Sequence, residues 1–271
     1  MISNNFGIMQ GRLVHAHNGE LQCFPNYLWK EEFLIADSLN LGFIELMIDE
    51  EFNPLNPLWK EDSILEVQEI SKVSKREIYS ICNNYIINYS ISDDNTVLKK
   101  VKDLITINSK LKFKILVLPF YGKSEMTDDN IDSFDHIIKK IAMHCKKYNI
   151  LLCIESNVKA DKLLAFIERI DLDNLGVVYD IGNRIAFNDI NIEDELRILE
   201  KRVFHIHIKD KNISNENVFL GTGLVNFRSF FKLIKELDYR GKYVFESVRG
   251  NNPIKTLLHN INFCEFFLKE R

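Results

Sequence analysis

A chain of 271 residues, 46% hydrophobic and 27% charged, has the composition of an ordinary soluble globular protein and the length for a large core. Its formal net charge is −4 and it has no long basic block. That argues against a dedicated nucleic-acid surface and is compatible with a small anionic metabolite, for which a few local cations suffice.

NFGIM (Asn5 to Met9) reads as a short first strand, followed by an irregular stretch from Gln10 to Pro25. Tyr27 to Asn40 carries helical periodicity, Gly42 stops it, and FIELMI (Phe43 to Ile48) is a second strand. Pro54 and Pro57 mark a loop, a helix spans about Asp62 to Ser74, and Tyr79 to Asn83 is strand three. Asp93 and Asp94 are expected to cap a helix running to about Ser109, and the continuously apolar Phe113 to Pro119 suits a strand covered on both faces. Thr127, Asp128 and Asp129 are expected to open a helix ending near Tyr148, and strand five then ends at Glu155. A helix from about Lys159 to Arg169 precedes strand six, which ends at Asp180. The acidic start at Asn191, Glu193 and Asp194 announces the next helix, and strand seven is Val203 to Ile208. Asn226 heads an amphipathic helix closed by Gly241, and Tyr243 to Ser247 is strand eight. Asn252 and Pro253 then cap a last helix running almost to Arg271. Eight strands alternate with eight helices and no linker interrupts them. The expected architecture is one α/β domain over residues 1–271, a (β/α)8 TIM barrel, with an open doubly wound sheet as the lesser alternative.

Five cysteines without paired spacing predict reduced thiols and a cytoplasmic setting. The N-terminus shows no signal-peptide pattern, and the longest apolar run, ILVLPFY, is too short to cross a bilayer. No membrane association is expected.

In a (β/α)8 barrel the active site lies at the carboxyl ends of the strands. Glu155, Asp180, His207 and Glu246 all fall there, on strands five to eight. Three carboxylates and an imidazole form a hard, oxygen-rich set suited to one divalent ion: Mn2+ first, with Mg2+, Co2+ or Zn2+ as alternatives. One acid after a strand is commonly a helix cap; four such residues at successive strand ends are hard to explain as caps. His205, two residues before His207, points to the same side of its strand and reads as a hydrogen-bonded core histidine. Lys209 and Asp210 read as an ion pair behind the ligands, as substrate contacts, or as a surface pair.

CIES, VVYDIGN, HIHIKD and VFES resemble, in order, the four ligand-bearing strand ends of the sugar phosphate isomerase/epimerase family. These are the xylose-isomerase-like TIM barrels that include ketose 3-epimerases and endonuclease IV. GIMQGRL, with QCFP and WKEEF after it, is similar to a subgroup of bacterial members. The resemblance spans the whole chain and implies a metal-dependent isomerase or epimerase of a small sugar or sugar phosphate. It implies a metal-stabilised enediolate with Glu155 and Glu246 as the acid/base pair. Return of the proton to the opposite face of the same carbon is epimerisation, and return to the adjacent carbon is isomerisation. Expulsion of a hydroxyl from a polyol-derived ketone makes a dehydratase, and a non-catalytic sugar-binding protein is the remaining alternative.

Two positions depart from the family pattern. Asn183 stands where free-sugar ketose epimerases often have His, and Gly221-Thr222-Gly223 stands where many members have Gly-Glu-Gly. Strands three and four end in Asn83-Asn84 and Pro119-Phe120, without the histidines a trinuclear zinc site needs, which argues against DNA repair. Arg12 and Arg249 are candidate ligands for a phosphate or carboxylate, or else ordinary loop arginines. Glu45, an acid amid apolar neighbours, needs either a protein partner or a sugar hydroxyl. Asn183 and Lys209 complete the candidate substrate-binding set. His15 and His17 lie in the loop over the mouth, and Phe120, Tyr121 and Trp59 are candidate walls. A homodimer is the expected assembly if any forms, with the loop from Glu50 to Trp59 as a contributor.

Overall fold

The computed structural model describes residues 2–15, 20–92, 95–187 and 190–270. In chain order the strands are β1 (Phe6–Met9), β2 (Phe43–Ile48), β3 (Glu77–Asn83), β4 (Ile115–Pro119) and β5 (Leu151–Glu155). They continue as β6 (Leu175–Asp180), β7 (Val203–Ile208), β8 (Asp210–Lys211), β9 (Asn217–Val218) and β10 (Lys242–Phe245). Eight of them close a parallel barrel in the order β1-β10-β7-β6-β5-β4-β3-β2, with Ile8 opposite Phe245 at the seam between first and last. The two-residue strands β8 and β9 pair antiparallel as a separate hairpin after β7.

The apolar runs explain the barrel. Every residue of β2, β4 and β6 is buried, as expected for strands with a helix layer outside and packed side chains within. The outer layer is built from α1 (Trp29–Ser38), α2 (Ile64–Ser74), α3 (Tyr85–Asn88), α4 (Asn95–Asn108) and α5 (Asp135–Lys146). It continues through α6 (Ala160–Ile170), α7 (Ile181–Phe187), α8 (Ile192–Leu199), α9 (Phe227–Glu236) and α10 (Pro253–Lys269). Three of the expected caps form. The side chains of Asn191, Asn226 and Asn252 accept from the backbone N–H of Glu193, Ser229 and Lys255.

Several boundaries shift. The first helix covers Trp29–Ser38, not Tyr27 to Asn40. The helix expected from Thr127 begins at Asp135 instead, because Asn130 Oδ1 accepts from Thr127 N at 2.7 Å and closes a turn there. β10 ends at Phe245, which leaves Glu246 just beyond the strand, although its N–H still donates to Ile208 O at 3.0 Å. The short helices α3 and α7 and the β8–β9 hairpin are additions to the expected set. Asp93, Asp94 and His17 lie outside the described residues.

Candidate metal centre and active site

Strand register brings the ends of β5, β6, β7 and β10 together. Asp180 pairs with His207 across β6 and β7, and Val244 pairs with His207 across β10 and β7. One ligand atom each of Glu155, Asp180, His207 and Glu246 lies within 4.8 Å of all the others. His207 Nδ1 stands 2.9 Å from Glu246 Oε2 and 3.9 Å from both Glu155 Oε2 and Asp180 Oδ2. Four residues spread over 92 positions of the chain therefore converge on one point.

Lys209 Nζ reaches into the same cluster, 2.7 Å from Asp180 Oδ2 and 3.3 Å from Glu246 Oε2. Its stem packs against Gly182 at the start of α7, where a Cβ would meet Lys209 Cγ at 2.6 Å. A glycine is required there for the lysine to lie along the helix start. Asp180 Oδ1 accepts from Asn183 N at 2.8 Å, which orients the carboxylate. Asn183 Nδ2 donates to Glu155 Oε1 at 3.1 Å, and Tyr121 OH approaches the same oxygen at 3.4 Å.

A cavity of about 230 Å³ opens above these groups, lined among others by Arg12, Gln22, Tyr121, Glu155, Asn183 and Glu246. Arg12 is buried, donates to Gln22 Oε1 at 2.6 Å, and lies 3.9 Å from Glu246 Oε1. Its loop is pinned by Glu32 of α1, whose carboxylate accepts from the N–H of Gly11 and Leu13.

Two candidate substrate contacts take other places. Arg249 donates to the carbonyls of Gly11 and Glu20, and so ties the loop after β10 to the loop after β1. Glu45 is fully buried beneath the cluster, with Oε2 2.7 Å from His205 Nε2 and Oε1 2.9 Å from His207 Nε2. Its partners are imidazoles, not a sugar hydroxyl. Of the candidate wall residues, Tyr121 lines the cavity, Phe120 packs edge-on against Phe134, and the Trp59 indole N–H donates to Asp49. His15 is exposed.

Asp210 is neither a surface partner of Lys209 nor a cavity residue. Its carboxylate accepts from the N–H of Lys211, Gly221, Gly223 and Val225. A buried pair, Arg184 with Glu195, braces α7 from behind, and Arg184 also donates to the carbonyls of Ser156 and Val158. Sequence reading missed this pair and the role of Gln22. The only sequence trace of either was the QCFP stretch and an arginine four residues after Asp180.

The two glutamates at the cavity wall differ electrostatically. Burial, with Glu246 and Asp180 beside it, pushes the Glu155 carboxyl up to about 7 against the opposing pull of His207 and Lys209. Burial also works against charge on Glu246, but Lys209, His207 and Arg12 outweigh it and hold that carboxyl below the ordinary range. Burial opposes charge on the Lys209 ammonium as well, and Asp180, Glu246 and Glu155 overcome it and hold the proton on. Burial likewise disfavours charge on His207, and Glu45 and Glu246 reverse that effect.

Fold and site together define a (β/α)8 barrel with a carboxylate–imidazole cluster at its strand ends. The chain belongs to the xylose isomerase-like TIM barrel family, whose model matches residues 33–266. It is 26% identical over 243 residues to a Haemophilus influenzae protein provisionally named L-ribulose-5-phosphate 3-epimerase SgbU, covering 82% of this chain and 84% of that one. It is 22% identical over 232 residues to the L-ribulose-5-phosphate 3-epimerase UlaE of Escherichia coli, covering 80% of this chain and 81% of the relative. Among solved structures, D-psicose 3-epimerase of Clostridium cellulolyticum superposes with a TM-score of 0.76 at 13% identity, covering 98% and 99% of the two chains. A xylose isomerase-like barrel of Mycobacterium smegmatis, solved in complex with magnesium, superposes with a TM-score of 0.70 at 16% identity, covering 96% of each. At these identities the structural likeness shows the shared fold.

Proposed function

We propose that the protein is a divalent-metal-dependent epimerase of a small ketose or ketose phosphate. The observation that carries this reading is the convergence of Glu155, Asp180, His207 and Glu246 on one point at the floor of a sugar-sized cavity. The donor set fits a divalent ion. His207 Nδ1, Asp180 Oδ2 and Glu246 Oε2 are sealed from water and in charge contact with their neighbours, yet none has hydrogen-bond geometry to a partner. Buried polar atoms of that kind are costly unless something else satisfies them. Mn2+ is the first expectation for so oxygen-rich a site, ahead of Mg2+, Co2+ and Zn2+. When bound, such an ion supplies Lewis-acid polarisation of the substrate carbonyl and lowers the acidity barrier of the neighbouring C–H.

The protein groups supply the proton transfers. One of the pair Glu246 and Glu155, which face the cavity from either side of the cluster, removes the proton next to the carbonyl. The other returns a proton to the opposite face of the resulting planar enediolate. The two reach the cavity from β10 and β5, with β6 and β7 between them in the barrel wall. Asn183 and Tyr121 hold Glu155 through Oε1, leaving Oε2 facing the cluster. Arg12, at the cavity wall, is the candidate contact for an anionic substituent of the substrate, and Lys209 for an oxygen of the reacting carbons.

The relatives' names put a pentulose 5-phosphate first in the substrate panel, beside unphosphorylated ketoses. The test is incubation of the Mn2+-loaded protein with each sugar in D2O. Epimerisation is expected to leave one deuterium on carbon in recovered sugar of otherwise unchanged composition. Loss of water from the sugar would assign a lyase instead, and absence of exchange across the panel would overturn the reading.

A further inference from the structure

The layer beneath the cluster holds a second group of polar side chains that the proton-transfer scheme does not use. Glu45, His205 and His207 are all fully buried, and their ligand-type atoms also lie within 4.8 Å of one another. Glu45 projects from β2 and the histidines from β7, three places apart in the ring of eight strands. His205 Nε2 is hydrogen-bonded to Glu45 Oε2 at 2.7 Å. The other carboxylate oxygen, Oε1, has no hydrogen-bond partner, and neither has His207 Nε2, yet the two face each other at 2.9 Å. Each is the other's nearest available match in a region without water access. On the far side of the His207 ring, Nδ1 faces Glu155, Asp180 and Glu246.

We propose that Glu45, aimed by its hydrogen bond from His205, is a positioning residue that fixes the His207 ring with Nε2–H on the carboxylate and the Nδ1 lone pair on the cation site. The proposal rests on the metal-centre reading above. An imidazole binds a metal through one bare nitrogen, so its proton must sit on the other, and a buried carboxylate there selects that tautomer and stops the ring from turning. Two features make this arrangement specific. The β2 backbone is itself tied to the turn after β1, since Gln10 N donates to Glu45 O at 2.9 Å and Met47 N donates to Gln10 Oε1 at 3.1 Å. His205 holds the carboxylate from below and its ring meets that of His207 edge-on, with centroids 5.5 Å apart. Residues of β2 and β7, with Gln10 just past β1, thus set the angle of one ligand.

The test compares Mn2+ binding by isothermal titration calorimetry in the wild type and in E45Q, H205L and H205Q. Imidazole 15N spectra of the Mg2+-loaded proteins report the His207 tautomer. Wild type is expected to bind one ion with the His207 proton on Nε2. E45Q is expected to bind on the order of 10–100-fold more weakly, as loss of such a carboxylate partner usually costs, with the His207 tautomer no longer single. H205L is expected to follow E45Q in part. H205Q, which keeps a donor near the position of Nε2, is expected to restore affinity to within about threefold, well inside the loss expected for a missing partner. That rescue would not follow from a merely space-filling histidine, and the H205L and H205Q pair decides the matter if E45Q does not fold. Wild-type affinity and an unchanged tautomer in E45Q, or equal affinity in H205L and H205Q, would overturn the proposal. A wild type that binds no ion would instead sink the metal-centre reading, with D180N as the reference for a lost ligand.

Discussion

Glu155 and Glu246 are the same side chain placed in two fields. Glu155 lies between an amide, a phenol and two other carboxylates with the His207 ring 3.9 Å away, and Glu246 lies among a lysine, the same ring at 2.9 Å and an arginine. The neighbours of one favour the acid, and those of the other favour the carboxylate. E155Q and E246Q are each expected to lower kcat by at least about 10³-fold, since a positioned acid or base contributes roughly 10²–10⁴ and both also face the proposed metal site. N183A is expected to act mainly on KM, because loss of the amide still leaves Tyr121 on Glu155 Oε1. Steady-state kinetics of the three variants checks this, and full turnover in either glutamine variant would remove the proton-transfer roles. Chemical type at this scale was readable from the strand ends. Partnership was not: Glu45 was legible as a buried acid in need of a partner, but nothing along the chain pairs it with histidines 160 and 162 residues later.

At the scale of elements, the loop between β7 and α9 depends on one side chain. Asp210 gathers four backbone N–H groups, and the glycines that approach it have no room for a side chain. A Cβ on Gly223 would lie 2.4 Å from Asp210 Oδ1, and Gly221 has φ +82°. This gives the Gly-Thr-Gly stretch a structural meaning: its glycines wrap a carboxylate, while the intervening Thr222 is exposed. D210A strands those donors and is expected to cost about 3 kcal/mol, the range for charge-assisted bonds to buried backbone. For a chain of this size that corresponds to a melting temperature lower by roughly 5–10 °C, to be read by calorimetry. An unchanged melting temperature would show that water replaces the carboxylate. The hairpin β8–β9 and the short helix α7 escaped sequence reading for a related reason. Both are too short for a periodicity to show along the sequence, and their starts are set by the contacts of Asp210 and of Asp180.

For the whole molecule, barrel closure and the site are coupled, because the candidate ligands sit on or just past four different strands of one ring. An ion that binds only the closed barrel stabilises it by linkage. At a free concentration about 100 times Kd the gain is about 2.7 kcal/mol, so the melting temperature is expected to rise by roughly 5–10 °C with Mn2+. Chelation should reverse the rise, and D180N should not show it. The same coupling separates what could be read along the chain from what could not. Eight apolar runs alternating with helical periodicity, most of the strand limits, and the polar residue closing each of four strands follow from local pattern, since burial and backbone geometry act over a few neighbours. Which of those residues face one another depends on the tilt and register of strands far apart in sequence. Closure alone set Glu45 under His207, turned Arg249 to the loop carbonyls of Gly11 and Glu20, and aimed Asp210 at the glycines rather than at Lys209.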